Sequence, residues 1–131
     1  MAYLLDTHAF LWFVSDPKQL SKAAADLIQN GSNEIFLSIA SLWEISIKTA
    51  LRKLEIKGDY KSVIEDVIEN SIEILPISFA HTVEQNRLPF HHRDPFDRMM
   101  ISQAIVQDMD LVSADPIFDK YLKGKRLKRI W

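Results

Sequence analysis

A chain of 131 residues, 47% hydrophobic and 26% charged with only 3 Gly and 5 Pro, has the length and apolar content for one packed core, which excludes a disordered chain. It has no cysteine, which excludes disulfides and thiolate metal sites and suits a reducing cytoplasm; with no basic leader and no window near about 18 apolar residues, neither a signal peptide nor a membrane span is expected. A net charge of −2 does not mark a nucleic-acid binder in bulk.

The first predicted element is "AYLL" (2–5), an apolar run of strand length that stops at Asp6. "THAFLWFVS" follows as a short helix with Thr7 as N-cap, broken at "SDP". "LSKAAADLIQNG" carries an N-cap at Ser21 and a stop at Asn30-Gly31, a helix signature. "EIFLS" (34–38) is a second strand, and "SIASLWEISIKTALRKLEI" a long helix ending before Gly58. A helix at "YKSVIEDVIENS", a strand at 72–77 and a helix at "SFAHTVEQNR" lead into the loop "LPFHHRDP". "PFDRMMISQAIVQD" is helical, 110–114 a fourth strand, "DPIFDKYL" a helical turn and "RLKRIW" a fifth strand. The basic tail holding Lys120, Lys123, Lys125, Arg126, Lys128 and Arg129 reads either as a footprint for a phosphate backbone or as a solvated strand face.

Short apolar strands alternating with helices predict an α/β fold: a central, mostly parallel five-stranded sheet with helices on both faces, in one domain spanning 1–131. Ligands of such sheets bind beyond the carboxyl ends of the strands. Asp6 ends the first strand and Asp115 closely follows the fourth, so the two are expected on the same edge.

Four acids stand out. At about 100° per residue, Ile39, Ala40, Trp43, Ile47, Ala50, Leu51 and Leu54 form one apolar stripe, and Glu44 falls at its margin, where a pair with Lys48 is the plain reading. Asp94-Pro95 has the form of N-cap and N1, which makes Asp97 the N3 residue of its helix. Yet Asp97 projects with Met100, Ile101 and Ala104, where an unpaired acid is expensive. Asp115-Pro116 is a further cap pair, and Asp119 reads as an ordinary exposed acid. A doubly wound fold can bring Asp6, Glu44, Asp97 and Asp115 to one end of the sheet. Clustered carboxylates repel, and a hard divalent cation with oxygen ligands, Mg²⁺ or Mn²⁺, removes that cost.

The order D…E…D…D, carried by "LLDTHAFLW", "SLWEISIK", "HHRDPFDRMMISQA" and "LVSADPIFDKY", resembles the PIN-domain ribonucleases, most closely the VapC toxins of bacterial toxin–antitoxin pairs. The resemblance spans nearly the whole chain. It implies a PIN-like three-layer α/β/α fold and a Mg²⁺- or Mn²⁺-dependent endoribonuclease, usually a homodimer, silenced by a cognate antitoxin. By position it implies Asp6, Glu44, Asp97 and Asp115 as the catalytic acids, with Asp6 and Asp97 the chief metal ligands and Glu44 and Asp115 binding directly or through water. Thr7, Asp94 and Lys48 are expected as supports of that set, and Arg93, Arg98, Lys125 and Arg126 as contacts for RNA or antitoxin. His8 reads as a structural histidine with a general-base role as the sharper alternative; His91 and His92 read as solvated loop or RNA contacts. Trp12, Phe13 and Trp43 are expected in the core or at an interface, with the first helix and "SLWEI" forming a groove for an antitoxin peptide.

Competing chemistries fit less well. A receiver domain needs an acceptor Asp ending its third strand, and "IEILPIS" has none. An aspartyl phosphatase wants a second acid two residues after the first, where His8 stands. No suitably spaced His pair supports a zinc hydrolase. The alternative from another class is a catalytically inactive PIN-like module that binds RNA or protein; the presence of all four acids argues against it.

Overall fold

In the computed structural model, which describes residues 1–131, the apolar run Ala2–Leu5 forms β1 at the centre of the sheet. The chain continues through α1 (Thr7–Ser15), α2 (Lys22–Gln29), β2 (Glu34–Ser38), α3 (Ile39–Ala50), α4 (Val63–Glu69), β3 (Glu73–Leu75), α5 (Phe79–Arg87), α6 (Pro95–Gln107), β4 (Asp110–Val112), α7 (Ile117–Leu122) and β5 (Arg129–Ile130). The strand order is β3-β2-β1-β4-β5. Every pairing is parallel, so the sheet is wholly and not mostly parallel. No helix is long and apolar enough to cross a membrane.

Both faces of the sheet are covered, which is why its strands are continuous apolar runs. Successive side chains point to opposite faces. Leu5 and Val112 join Phe10, Ile28, Leu37, Leu42, Ile45 and Val67 in one buried cluster. Their neighbours Leu4 and Leu111 join Met100, Ile101, Ala104, Phe118 and Leu122 in the other. A buried polar lash holds α6 across the sheet: Ser38 Oγ donates to Gln103 Oε1 at 2.5 Å, and Gln103 Nε2 donates to the Pro76 carbonyl at 3.2 Å.

Two expectations for α3 are corrected. The helix ends at Ala50, well before Gly58. Arg52 takes the left-handed conformation, its N–H donates to Thr49 O, and the Lys53 N–H donates to Lys48 O. That is a Schellman stop built without glycine, so the usual residue signal is missing. Ser71 and Asp108 end α4 and α6 in the same way. The buried arc also differs from the expected stripe. Ala40, Ser41, Leu42, Glu44 and Ile45 are buried, while Ile39, Trp43 and Leu51 are exposed. The helix serves two neighbours: Leu42 and Ile45 enter the first cluster, and Ser41 Oγ meets Met100 Sδ of α6 at 3.1 Å. The rotation that turns Trp43 outward turns Glu44 inward.

A left-handed residue other than glycine costs about 1 kcal/mol or more. Arg52 is exposed, so nothing else is lost on replacing it. Arg52→Gly is expected to raise unfolding free energy by about 1 kcal/mol, measured by urea denaturation.

Candidate acidic site

Asp6 lies one residue past β1 and is still tied to the sheet, because its N–H donates to the Val112 carbonyl at 3.0 Å. Its side chain, not that of Thr7, caps α1: Oδ1 accepts the Ala9 N–H at 2.7 Å. A carboxylate is a better acceptor for this end of the helix dipole than a hydroxyl. Burial pushes the Asp6 carboxyl above its ordinary pKa, and Asp115 pushes in the same direction. The Ser113 hydroxyl, the Ala9 N–H and His8 oppose that rise. Ser113, one residue past β4 and fully buried, also accepts the Asp115 N–H at 3.0 Å. It thereby ties two acids together, a role that sequence reasoning missed. Asp115 Oδ1 accepts the Ile117 N–H at 3.0 Å, but α7 starts at Ile117 with Pro116 at its N-cap, so Asp115 stands one residue before the cap position expected of it.

Thr7, released from capping, donates its hydroxyl to Glu44 Oε1 at 2.6 Å. The other carboxylate oxygen of Glu44 takes the Lys48 ammonium at 2.6 Å. Glu44 is 4% exposed, so the expected i,i+4 pair forms with its acid buried. The bond to Glu44 raises the Lys48 pKa, and the charges of Glu44, Asp94 and Asp97 raise it further. Lys48 therefore answers three acids at once.

Asp94 is the N-cap of α6, accepting from the Phe96 and Asp97 N–H groups at 2.9 and 3.0 Å. Asp97 stands at N3 as expected, and burial pushes its pKa up to about 6, with the charges of Asp94 and Glu44 adding to the rise. His92 Nε2 lies 3.1 Å from Asp97 Oδ2 and opposes it.

The fold thus gathers Asp6 with Asp115, and Glu44 with Asp94 and Asp97, around the carboxyl ends of β1, β2 and β4. No three Asp, Glu or His side chains are grouped so as to hold a metal ion in this arrangement. The donor chemistry nevertheless suits a hard cation: the atoms are carboxylate oxygens, two of the acids are raised by burial and mutual repulsion, and Lys48 already answers part of the charge.

The basic residues fall out differently from expectation. Arg98 is not on the rim. It is 2% exposed, donating to the carbonyls of Pro89, Leu88 and Gln85 and to the Tyr121 hydroxyl, with the Phe90 ring 3.8 Å from its guanidinium carbon. It has no carboxylate partner and staples the 88–94 loop. Lys125 and Arg126 lead into β5 at its amino end, and Arg126 pairs with Asp108 at the start of β4, on the rim opposite the acids. A parallel fifth strand must enter from that side. Arg93 is exposed beside Asp94 and makes no ion pair. Asp119 is engaged by Arg129. His8 is exposed and packs on Trp12, which meets Trp131. The groove expected from the first helix and "SLWEI" is two separate clefts. One lies between α1 and α4 with Phe10, Leu11, Val14, Ile56 and Val63, and the other holds Trp43, Phe96, Met99 and Ile77.

The raised Asp97 pKa has a consequence for stability. A folded-state value near 6 against an ordinary 3.8 means that the folded protein holds this proton more tightly than the unfolded chain. The penalty of the charged form is complete above about pH 6 and vanishes below about pH 4. In EDTA, Asp97→Asn is expected to stabilise the protein by about 1 kcal/mol at high pH, after allowance for solvent screening. The gain should fade as pH drops from 6 to 4, as thermal melts across that window will read.

The family model described as PIN domain matches residues 3–123. No curated protein sequence matches the chain. Among solved structures, a chain of VapBC2 from Rickettsia felis, bound to a DNA fragment from its promoter, is 20% identical with TM-score 0.70, over 98% of each chain. DNA-bound VapBC from Salmonella typhimurium gives 16% identity and TM-score 0.67, again over 98% of each chain. VapBC-5 from Mycobacterium tuberculosis, a member of the VapBC family of toxin-antitoxin systems, gives 14% identity and TM-score 0.60 over 98% of this chain and 97% of that one.

Proposed function

Because the chain belongs to the PIN domain family, we propose that it is a VapC-type toxin, an endoribonuclease that hydrolyses RNA phosphodiesters with a divalent ion, Mg²⁺ or Mn²⁺. A cognate antitoxin neutralises it. The observation that supports this reading is the pairing of carboxylates from remote segments past the strand ends, Asp6 with Asp115 and Glu44 with Asp97, with raised pKa values at Asp6 and Asp97.

Asp6 and Asp97 would be the chief ligands, with Asp115 beside the first and Glu44 beside the second. Mg²⁺ is commonly held by one or two carboxylates with water and substrate phosphate completing the shell, so no three-acid cage is required. When bound, the ion supplies a water of lowered pKa and positive charge for the leaving 3′-oxygen. The chain's own part is preorganisation. The Ala9 N–H fixes Asp6, Thr7 and Lys48 fix both oxygens of Glu44, and Asp94 sets the start of the helix that carries Asp97. Arg93, exposed beside the rim, is the side chain best placed to meet a backbone phosphate.

The antitoxin reading draws on the VapBC likeness and on the apolar cleft between α1 and α4. A peptide burying that cleft and extending a basic side chain to the acids would block the site. The homodimer belongs to the same proposal; the exposed Trp43, packed edge-on against Phe96, supplies apolar surface for such a contact.

Cleavage of mixed cellular RNA by the purified protein tests the reading. Activity should disappear in EDTA and return with added Mn²⁺. Asp6→Asn should cut at least about a hundredfold more slowly while its circular dichroism and melting cooperativity persist. Cleavage that survives EDTA, or full activity in Asp6→Asn, refutes the assignment. An intact but inert protein favours the binding module.

A further inference from the structure

We propose that His92 is the positioning residue that aims Asp97, and that the Tyr121 hydroxyl fixes the tautomer in which it does so. The inference rests on Asp97 being a metal ligand, but its structural half stands by itself.

The argument is a count of protons and lone pairs. The Tyr121 oxygen has one proton to give and two lone pairs to receive with. Three N–H groups point at it: the His91 backbone at 3.2 Å, the His92 backbone at 3.1 Å and Arg98 Nη1 at 3.3 Å. None of these can accept, so the accepting capacity of the oxygen is fully taken. The closest contact of all is His92 Nδ1 at 2.8 Å. With the lone pairs occupied, the only bond available there is the hydroxyl proton donated to Nδ1. The other acceptor in reach, the His92 carbonyl, is farther at 3.3 Å. A neutral imidazole that accepts at Nδ1 carries its hydrogen on Nε2. Nε2 lies 3.1 Å from Asp97 Oδ2, so it donates to that oxygen.

The terminal torsion of an aspartate is broad. A donor held on Oδ2 narrows it and leaves Oδ1 to the acidic rim. The donor is itself held. Arg98 draws together the carbonyls of Gln85, Leu88 and Pro89, and the His91 ring packs edge-on against Tyr121 with centroids 4.7 Å apart. This gives the buried Arg98 a purpose that its lack of any acidic partner leaves open: it fixes the loop on which His92 rides. A histidine bond to a ligating carboxylate typically changes metal affinity by about 10–100-fold.

Two measurements test this. Ring nitrogen NMR of the metal-free protein at about pH 8 should show His92 carrying its hydrogen on Nε2, with Nδ1 bare. Tyr121→Phe should relax that preference. A hydrogen on Nδ1 in the wild type overturns the inference, whatever the protein's activity. Second, Mn²⁺ affinity is read by paramagnetic resonance of free Mn²⁺, without RNA. His92→Ala should weaken binding about tenfold or more, and His92→Gln, whose amide nitrogen reaches near the Nε2 position, should restore most of it. If Asp97→Asn loses Mn²⁺ while His92→Ala keeps it, the positioning role fails and the site reading stands. If Asp97→Asn binds Mn²⁺ as the wild type does, the ligand assignment fails and the positioning of a ligand fails with it.

Discussion

Parallel pairing on both sides of β1 is the constraint from which the acidic rim follows. The register sets Leu5 opposite both Leu37 and Val112. The next residues along the three strands, Asp6, Ser38 and Ser113, therefore emerge at one level. Each is polar and buried. Asp6 caps α1, Ser38 caps α3 and reaches Gln103, and Ser113 receives Asp115. An antiparallel neighbour would have sent its strand end to the far side. Three short apolar segments thus place three polar groups together without any contact between their sequences.

The rim is built against its own electrostatics. Carboxylates are brought out of water beside one another, which disfavours their charged forms. The molecule offsets this with hydrogen-bond donors and a single ammonium. Backbone N–H groups at helix starts serve Asp6, Asp94 and Asp115, while Thr7, Lys48 and His92 serve Glu44 and Asp97. Such partners orient the acids and leave part of the repulsion in place at Asp6 and Asp97. The resulting rim is oxygen-rich and short of positive charge.

Rigidity comes from buried polar groups outside the acid set. Arg98 and Gln103 are among the largest fully buried side chains, and each donates to a loop carbonyl, Arg98 to Pro89 and Gln103 to Pro76. Gln103 ties α6 to the ends of β2 and β3, and Arg98 ties it to the loop before it. Asp97 on that helix is held from both directions. The exposed Trp43, packed edge-on against the half-buried Phe96, borders this region.

Much of this was legible in the sequence because it depends on local chemistry. Apolar runs of strand length alternating with capped helices specify a parallel sheet, and the strand-terminal Asp6 marks its carboxyl edge. Ser21 and Asp94 announce their helices as caps because the bond is made within three residues. The four acids could be named for the same reason: each sits at an element boundary or against an apolar stripe. Tertiary structure decided the rest. The face of α3 depends on two packing partners, so Glu44 went inward and Trp43 outward against the periodicity. Three helices stop at non-glycine residues in the left-handed conformation, each at a local strain of about 1 kcal/mol, where the residue type gives no signal. Arg98, Lys125 and Arg126 look alike in sequence as free positive charge; only the folded chain buries the first among carbonyls and carries the other two to the opposite rim. Which donors meet which acids is settled by contacts such as Thr7 with Glu44 and Tyr121 with His92, between residues 37 and 29 apart in the chain, and no short-range pattern records such distances.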